Sequence, residues 1–208
     1  MKSALDVHRE LLAAGVTHEM VRVRGSALSA DELPLGLGVD PEACVAVRCY
    51  LASYDDGVDE RKQFVAVLVR AGDTPDPASL LDALQAAAVR PASAAEVNAV
   101  TDYAAPLVCP VGLGPDVLLL ADAALGSTDV LYTATGESGV ALGIRTRDLL
   151  VAAGARATAL TARPLAPAER SGWDLGAGLG LPGAQVVDFA PVRRSRRAAA
   201  GRAAPAAR

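Results

Sequence analysis

The stretch ACVAVRCYLAS at 43–53 alternates, as half-buried β-strands do, and FVAVLVRAGD at 64–73 is predicted to be the next strand. A polar connection joins the two stretches. In the first strand, one face carries Val45, Val47, Cys49 and Leu51, and the other carries Ala46, Arg48 and Tyr50. The pattern therefore predicts a strand pair whose first member places Arg48 and Cys49 on opposite faces.

Other segments repeat apolar residues at the three- and four-residue spacing of helices. The predicted helices cover residues 4–15, 76–89, 93–100 and 147–155, and a short one follows Ser29. Ser3 is placed to cap the first helix, and both Ser29 with Glu32 and Ser93 with Glu96 have the spacing of a capping box. Further strands are predicted at 19–25, 116–125, 129–136 and 140–146, the last two joined by a turn at Gly136–Gly139. Helices and strands in mixed order predict an α+β fold rather than a doubly wound one.

Charge divides the chain unevenly. Between Val192 and Arg208 there are six arginines and no acid, so the remaining residues hold 14 basic against 24 acidic side chains, or about −10. A basic arm on an acidic body can contact nucleic acid, but a solvated disordered tail is the favoured interpretation. The predicted organisation is a domain at 1–165, a Gly-rich extension at 166–191 and a basic disordered tail at 192–208.

The cysteines and histidines suggest neither a metal site nor a redox site. Cys44, Cys49 and Cys109 form no Cys-x-x-Cys pair, and the only histidines, His8 and His18, lie far from them in the sequence. The sequence thus predicts no metal and no other cofactor. The amphipathic N-terminus is interrupted by charges, and no apolar run reaches membrane-spanning length. These features predict a cytoplasmic protein with reduced thiols and no membrane contact.

The segment YAAPLVCPVGLGP at 103–115 is the strongest candidate for chemistry, because Cys109 precedes a proline within an apolar loop. Three roles are open to Cys109. A nucleophile needs a general base and a metal ligand needs companions at a suitable spacing. The third role is a small side chain on the floor of a pocket, beside a proline that restrains the loop. The pocket-floor interpretation is favoured.

The order of these elements resembles the YbaK / prolyl-tRNA synthetase editing-domain family, the aminoacyl-tRNA deacylases that act in trans. The segments that carry the resemblance are HRELLAAGVTHEMVRV, CVAVRCYL with FVAVLVRAGD, SAAEVNAVTDYAAPLVCPVGL and VLYTATGESGVALGIRTRDLL. Together they cover roughly residues 4–155. The resemblance implies a mixed, curved sheet flanked by helices. The family's strand lysine matches Arg48, its pocket-loop glycine aligns with Ala105 or Pro106, and its usual Ser-Pro is here Cys109-Pro110.

For function, the resemblance implies hydrolysis of a mischarged aminoacyl ester at the 3′ end of tRNA, with backbone amides of the 105–110 loop polarising the ester carbonyl. It assigns the catalytic loop to Cys109 and Pro110. The substrate-binding residues that it implies are Arg48, Tyr50, Val108, Gly136 and Gly139. The implied partners are the aminoacyl-tRNA 3′ end and, as a second candidate, an aminoacyl-tRNA synthetase.

Two classes of function stay open. The first is the deacylase, a hydrolase. The second is a diverged binding module that has lost turnover and binds tRNA ends, a nucleotide or a synthetase. Under either hypothesis, Arg48 and Cys109 are expected to approach each other across one concave pocket.

Overall fold

The computed structural model describes residues 1–55, 60–160 and 162–164, together with the backbone of 192–193; of Glu60 the backbone alone is described. The predicted Gly-rich extension at 166–191 and residues 194–208 of the predicted tail lie outside the described residues. In the part of the chain that is described, no helix is long and apolar enough to cross a membrane.

The helices and strands follow the order that the hydrophobic pattern predicts, with additions. The helices are α1 (Ala4–Ala13), α2 (Leu33–Leu37), α3 (Pro77–Leu84), α4 (Ala94–Thr101) and α5 (Thr146–Ala152). The strands are β1 (His18–Arg22), β2 (Val45–Asp55), β3 (Glu60–Arg70), β4 (Asp73–Pro75), β5 (Ala88–Pro91), β6 (Val117–Asp122), β7 (Val130–Ala134), β8 (Val140–Arg145), β9 (Arg156–Thr158), β10 (Ala162–Pro164) and β11 (Val192–Arg193). Short 3-10 turns at Ala30–Glu32, Pro41–Ala43, Ala105–Leu107 and Ala123–Ser127 connect them.

The strands form a mixed sheet flanked by helices, which confirms the predicted α+β class. Six strands lie in the order β11-β5-β2-β3-β6-β9, in which β3 with β6 and β6 with β9 are parallel and the other pairs are antiparallel. Three more strands form the antiparallel sheet β1-β8-β7. A parallel bridge between Cys44 and Tyr132 links this smaller sheet to the start of β2. Strands β4 and β10 pair separately.

Strand β2 buries both of its faces, and the predicted division between them is confirmed. Val45, Val47 and Cys49 belong to the largest apolar cluster, which also contains Val7 and Leu11 of α1. Each large apolar side chain that leaves water there contributes about 1.5–3 kcal/mol to the stability of the fold. The face with Cys49 is therefore the main core of the protein.

The opposite face of β2 is covered by two different elements. Tyr50 packs with Leu80, Leu81 and Leu84 of α3. Ala46 belongs to a third apolar cluster, together with residues of the chain between β1 and β2. We call residues 25–38 the cover segment, because they lie over this part of β2 and connect it to the β7–β8 turn.

The three predicted helix caps have different outcomes. The capping boxes at Ser93 with Glu96 and at Ser3 with Asp6 are formed, the latter confirming the predicted Ser3 cap. The predicted box at Ser29 is wrong, because Ser29 makes no capping hydrogen bond and the Glu32 carboxylate accepts the Leu28 N–H instead. The N–H that the Glu32 carboxylate accepts belongs to Leu28, four residues before it, so the carboxylate does not bond to the N-cap residue Ser29.

The predicted helix at 76–89 is too long. Helix α3 ends at Leu84, and Gln85 adopts a left-handed conformation (φ 53°) that stops it. Residues 88–91 then form β5 on the edge of β2, with Ala52 opposite Val89. A run of alanines has high helix propensity, but pairing with β2 overrides it here.

The start of the predicted tail also pairs with the sheet. Val192 and Arg193 form β11, opposite Val89 and Ala88 of β5. The disorder of the tail at 192–208 stays a prediction.

Candidate functional site

The loop between α4 and β6 is held at both ends by hydrogen bonds. Helix α4 ends at Thr101, Asp102 caps it in a left-handed conformation (φ 60°), and the Asn98 side chain accepts the Ala105 N–H at 2.8 Å. Farther along, the buried Tyr103 hydroxyl donates to the Val111 carbonyl at 2.7 Å. Because the sequence also contains Pro106 and Pro110, the loop has few conformations open to it.

Two adjacent backbone amides in this loop donate no hydrogen bond to any of the described residues. The Val108 N–H follows the 3-10 turn at Ala105–Leu107 but makes no capping bond to it. Neither this N–H nor that of Cys109 has an acceptor among the described residues. Both residues are buried, and an unpaired buried N–H is rare in folded proteins. Such a pair of donors is what a polarised carbonyl oxygen or an oxyanion requires.

Cys109 itself is poorly suited to act as a nucleophile. Its side chain is inaccessible to solvent, and burial raises the pKa of its thiol to about 12, although interactions with the Val111 backbone and the Tyr103 side chain act in the other direction. The two histidines bond to each other, with His8 Nδ1 and His18 Nε2 2.8 Å apart. A protonated thiol without a base favours the pocket-floor interpretation.

Arg48 lies on the other side of β2, and each of its three guanidinium nitrogens donates a hydrogen bond. Its Nη1 and Nη2 donate to the two carboxylate oxygens of Asp31, at 3.0 and 2.5 Å. Its Nε donates to the Asp73 carbonyl at 2.9 Å. The side chain of Arg48 is 7% exposed and that of Asp31 is 20% exposed.

The expected approach of Arg48 to Cys109 is therefore wrong. Cys109 packs in the main core with Val47 and Cys49, whereas Arg48 projects from the opposite face of β2. Of the loop residues, Leu107 belongs to the apolar cluster of Ala46, on the Arg48 side of the strand. The loop thus contacts both sides of β2, and Leu107 is the residue that reaches the Arg48 side, whereas Ala105 stays in the main core.

The cover segment closes the Arg48 face. Ala27, Ala30 and Leu33 are buried in the cluster that contains Ala46 and Leu107. The Ala27 N–H donates to the Ser138 carbonyl at 2.9 Å, which ties the segment to the β7–β8 turn. Glycines in the left-handed conformation stand near its ends, Gly25 with φ 77° and Gly38 with φ 69°.

The β7–β8 turn joins the loop to the cover segment. The Gly136 N–H donates to the Leu107 carbonyl at 2.9 Å, and the Gly139 carbonyl accepts the Val23 N–H at 3.0 Å. Gly136 has φ 88°, and a Cβ there would lie 2.6 Å from the Lys2 carbonyl oxygen. The predicted residue Gly136 is thus in direct contact with the loop, and Gly139 is bonded to Val23, two residues before the cover segment.

The remaining predicted residues have structural surroundings. Tyr50 is buried and its hydroxyl lies 2.9 Å from Thr74 Oγ1. Val108 and Pro110 are buried in the loop beside Cys109. The structure thus brings Val108, Cys109, Pro110 and Gly136 together and leaves Arg48 and Tyr50 on the far face of β2.

Sequence reasoning missed two residues of this region. Asp31 is 17 positions from Arg48, and Gly72, whose N–H donates to Asp31 Oδ1 at 2.6 Å, is 41 positions from Asp31. Neither spacing corresponds to a helix or strand period, so no local pattern indicates these contacts.

An open cleft of about 620 Å³ lies elsewhere, between α3 and the end of β9. Asp76 and Asp82 stand in its walls, and their negative charge is unfavourable for the phosphates of a nucleic acid. The described residues contain no group of three or more His, Cys, Asp or Glu side chains placed to hold a metal ion.

Comparison with known proteins gives a consistent result. A family model described as an aminoacyl-tRNA editing domain matches residues 26–151. The crystal structure of the hypothetical protein APE2540 is similar, with 25% identity, a TM-score of 0.65, and coverage of 76% of this chain and 99% of that chain. A proposed trans-editing enzyme for prolyl-tRNA synthetase is similar in fold, with 21% identity, a TM-score of 0.64, and coverage of 76% and 96%. No curated protein matches the chain.

Proposed function

Because the chain belongs to the aminoacyl-tRNA editing-domain family, we propose that it hydrolyses the ester bond of a mischarged aminoacyl-tRNA supplied in trans. Its substrate is the aminoacylated 3′ end, and its products are the free amino acid and deacylated tRNA. The similarity in fold to a proposed trans-editing enzyme for prolyl-tRNA synthetase supports a free-standing role.

The observation that carries the proposal is the pair of unpaired amides at Val108 and Cys109. The ester carbonyl oxygen accepts hydrogen bonds from these N–H groups, which draws electron density from the carbonyl carbon. A water oxygen then bonds to that carbon, and the negative charge of the tetrahedral intermediate rests on the former carbonyl oxygen, which the two amides stabilise by hydrogen bonds. When the carbon–oxygen bond to the ribose breaks, the ribose oxygen leaves with a proton that derives from the water. One preorganised donor of this kind contributes about 10²–10³ in rate.

In this mechanism no side chain forms a covalent intermediate. Cys109 is protonated because burial raises its pKa to about 12, and it supports the loop from the main core. Asn98 and Tyr103 act as positioning residues, since their hydrogen bonds to Ala105 and Val111 hold the two ends of the loop. Substrate reaches the Leu107 side of the loop only when the cover segment moves.

A specific observation favours the second function, a binding module without turnover. In the structure, the charge of Arg48 is neutralised by Asp31, and the cover segment lies over Ala46 and Leu107. A domain that keeps this arrangement on binding tRNA would hold the RNA end outside the loop and leave the ester intact.

Single-turnover deacylation of a panel of mischarged tRNAs separates the two functions. The informative variant is Val108→Pro, which removes the N–H at a position whose φ of −59° suits proline. The matched control is Val108→Ala, which shortens the side chain and keeps the amide. We expect Val108→Pro to lose about 10²–10³ in rate while Val108→Ala keeps most of it.

Circular dichroism and thermal unfolding establish that both variants are folded. Equal deacylation rates in the two variants would show that the Val108 amide takes no part in catalysis. If the wild-type protein bound tRNA but hydrolysed none of the mischarged tRNAs, the result would support the binding module.

A further inference from the structure

Two successive carbonyl groups in the second half of the loop accept hydrogen bonds from side chains that lie close to each other. The Val111 carbonyl accepts from the Tyr103 hydroxyl at 2.7 Å, and the Gly112 carbonyl accepts from the Lys2 ammonium. Lys2 Nζ also lies 5.5 Å from the centre of the Tyr103 ring, within the range of a cation–π contact. Tyr103 belongs to the loop, whereas Lys2 is 110 positions from Gly112. The loop is therefore held here by a residue from a distant part of the chain.

Lys2 is bonded to the start of the loop as well. Its backbone N–H donates to the Asp102 carbonyl at 2.6 Å. One residue thus joins positions 102 and 112, which stand on either side of the unpaired amides of Val108 and Cys109. Holding both ends of a segment removes conformations from it, as a cross-link does.

The backbone of Lys2 also supports the β7–β8 turn, which reaches the middle of the loop. A Cβ built on Gly136 would lie 2.6 Å from the Lys2 carbonyl oxygen, so the two backbones are in contact. The Gly136 N–H donates to the Leu107 carbonyl at 2.9 Å. The Leu107 carbonyl and the Val108 N–H belong to one planar peptide group, so this bond fixes the direction in which the Val108 N–H points.

Gly112 leaves room for the Lys2 ammonium. It has φ 75°, a left-handed conformation that favours glycine. A Cβ built on it would lie 2.6 Å from Glu10 Oε2 of α1 and 3.2 Å from Lys2 Nζ. The ammonium and the Glu10 carboxylate therefore both approach the backbone of the loop at this point, which a larger residue would prevent.

We propose that Lys2 is a positioning residue for the proposed deacylation, in which it holds the loop so that the Val108 and Cys109 amides point at the ester carbonyl oxygen. The inference rests on the proposed function for the identity of the reaction. Lys2 lies outside residues 26–151, so the family match assigns it no role. It touches no reacting atom and acts through the direction of the donors, because an amide that must reorient during the reaction stabilises an oxyanion less than a preorganised one.

The first test measures the order of the loop by ¹⁵N relaxation in wild type, Lys2→Met and Lys2→Arg, without any substrate. Lys2→Met keeps the length of the side chain and removes the ammonium, whereas Lys2→Arg supplies another cationic donor. In wild type, the order parameters of the Val108 and Cys109 N–H groups should be near about 0.85, and in Lys2→Met they should fall towards about 0.6. Lys2→Arg should restore most of the order. The Leu80 N–H of α3 should keep its value in all three proteins.

The second test is single-turnover deacylation over a range of enzyme concentrations. We expect Lys2→Met to lower the maximal rate by about tenfold, less than the loss expected on removing the Val108 N–H, and to leave the half-saturating concentration unchanged. Lys2→Arg should recover most of the rate. Arg9→Met is the matched control, because it removes a positive charge from an exposed position of α1 and should leave the maximal rate unchanged.

The outcomes separate this inference from the proposed function. Unchanged order parameters in a folded Lys2→Met would overturn the inference, as would an equal loss of order at Leu80, which would show a general loosening of the fold. A change in half-saturation alone, of the same size in Lys2→Met and Arg9→Met, would make Lys2 a surface charge that attracts RNA. If wild type hydrolysed no mischarged tRNA while the order parameters fell as expected, the hydrolase would fail and the ordering of the loop by Lys2 would stand.

Discussion

Arg48 and Asp31, 17 positions apart in the sequence, form a bidentate ion pair with hydrogen bonds of 3.0 and 2.5 Å. The pair joins the central strand β2 to the cover segment. Its burial decides how it contributes to stability, because a charge left alone in such a position costs more than the pair gains.

Removing one partner of this pair should destabilise the protein more than replacing both. Arg48→Met leaves the Asp73 carbonyl without its Arg48 donor and the Asp31 carboxylate without its countercharge, and Asp31→Leu leaves Arg48 charged and nearly buried. Since Asp31 is partly exposed, we expect each single change to cost about 3 kcal/mol, the lower end of the range for buried pairs. The double variant should cost less than the sum of the two. Urea unfolding of all four proteins measures this coupling, and single changes below about 0.5 kcal/mol would place the pair among ordinary surface contacts.

Cys109 should be replaceable without loss of activity. In Cys109→Ser, the hydroxyl can accept from the Val111 N–H and bond to Tyr103, as the thiol does. Since the neighbouring amides are unchanged, deacylation should keep most of its rate, and the native thiol should resist alkylation until the protein unfolds. Cys109→Ala serves as the control without a hydrogen-bonding atom. If both folded variants fell to background, the thiol would be a nucleophile after all.

Alkaline pH should destabilise the protein through its buried thiols. Burial raises the pKa of Cys44, Cys49 and Cys109 from 9.0 to about 12 in each case. Above the unfolded pKa the unfolded chain loses these protons first, so the stability falls as pH rises from about 9 towards about 12. Each thiol contributes up to about 1.4 kcal/mol per pH unit in that window. Urea unfolding at pH values from about 8 to about 10.5 tests this effect, and Cys49→Ala should show a shallower decline than wild type. An unchanged stability up to about pH 10.5 would contradict it.

Gly136→Ala should disturb the contact between the β7–β8 turn and the loop. The new Cβ would meet the Lys2 carbonyl oxygen at 2.6 Å and Tyr103 Cδ1 at 2.9 Å, on a backbone with φ 88°. We expect a loss of more than about 1 kcal/mol in the free energy of unfolding, together with slower deacylation, because the Gly136 bond to Leu107 positions the loop. Gly139→Ala is the matched control, since a Cβ there has nothing within 4 Å. Equal effects of the two substitutions would show that the close approach at Gly136 is unimportant.

Local sequence patterns were sufficient to predict several features of the structure. Alternation along β2 assigns Cys49 and Arg48 to opposite faces, and the structure places them so because successive side chains of a strand point in opposite directions. The spacing of Ser93 and Glu96 likewise determines the start of α4, since both capping bonds lie within four residues. The turn at Gly136–Gly139 follows from the glycines between two apolar strands.

Only the tertiary structure decided which segments cover the two faces of β2. Alternation places Arg48 on one face of β2 but contains no information on which distant segment covers that face or on where the loop of Cys109 packs, so their expected meeting was wrong. Asp31 reaches Arg48 because the chain between β1 and β2 folds back over the sheet, a path that depends on left-handed glycines and on the clustering of Ala27, Ala30 and Leu33 with Ala46. The side-chain periodicity of a helix or strand is set by its local backbone geometry. These contacts instead arise from burial shared among segments that are far apart in the sequence.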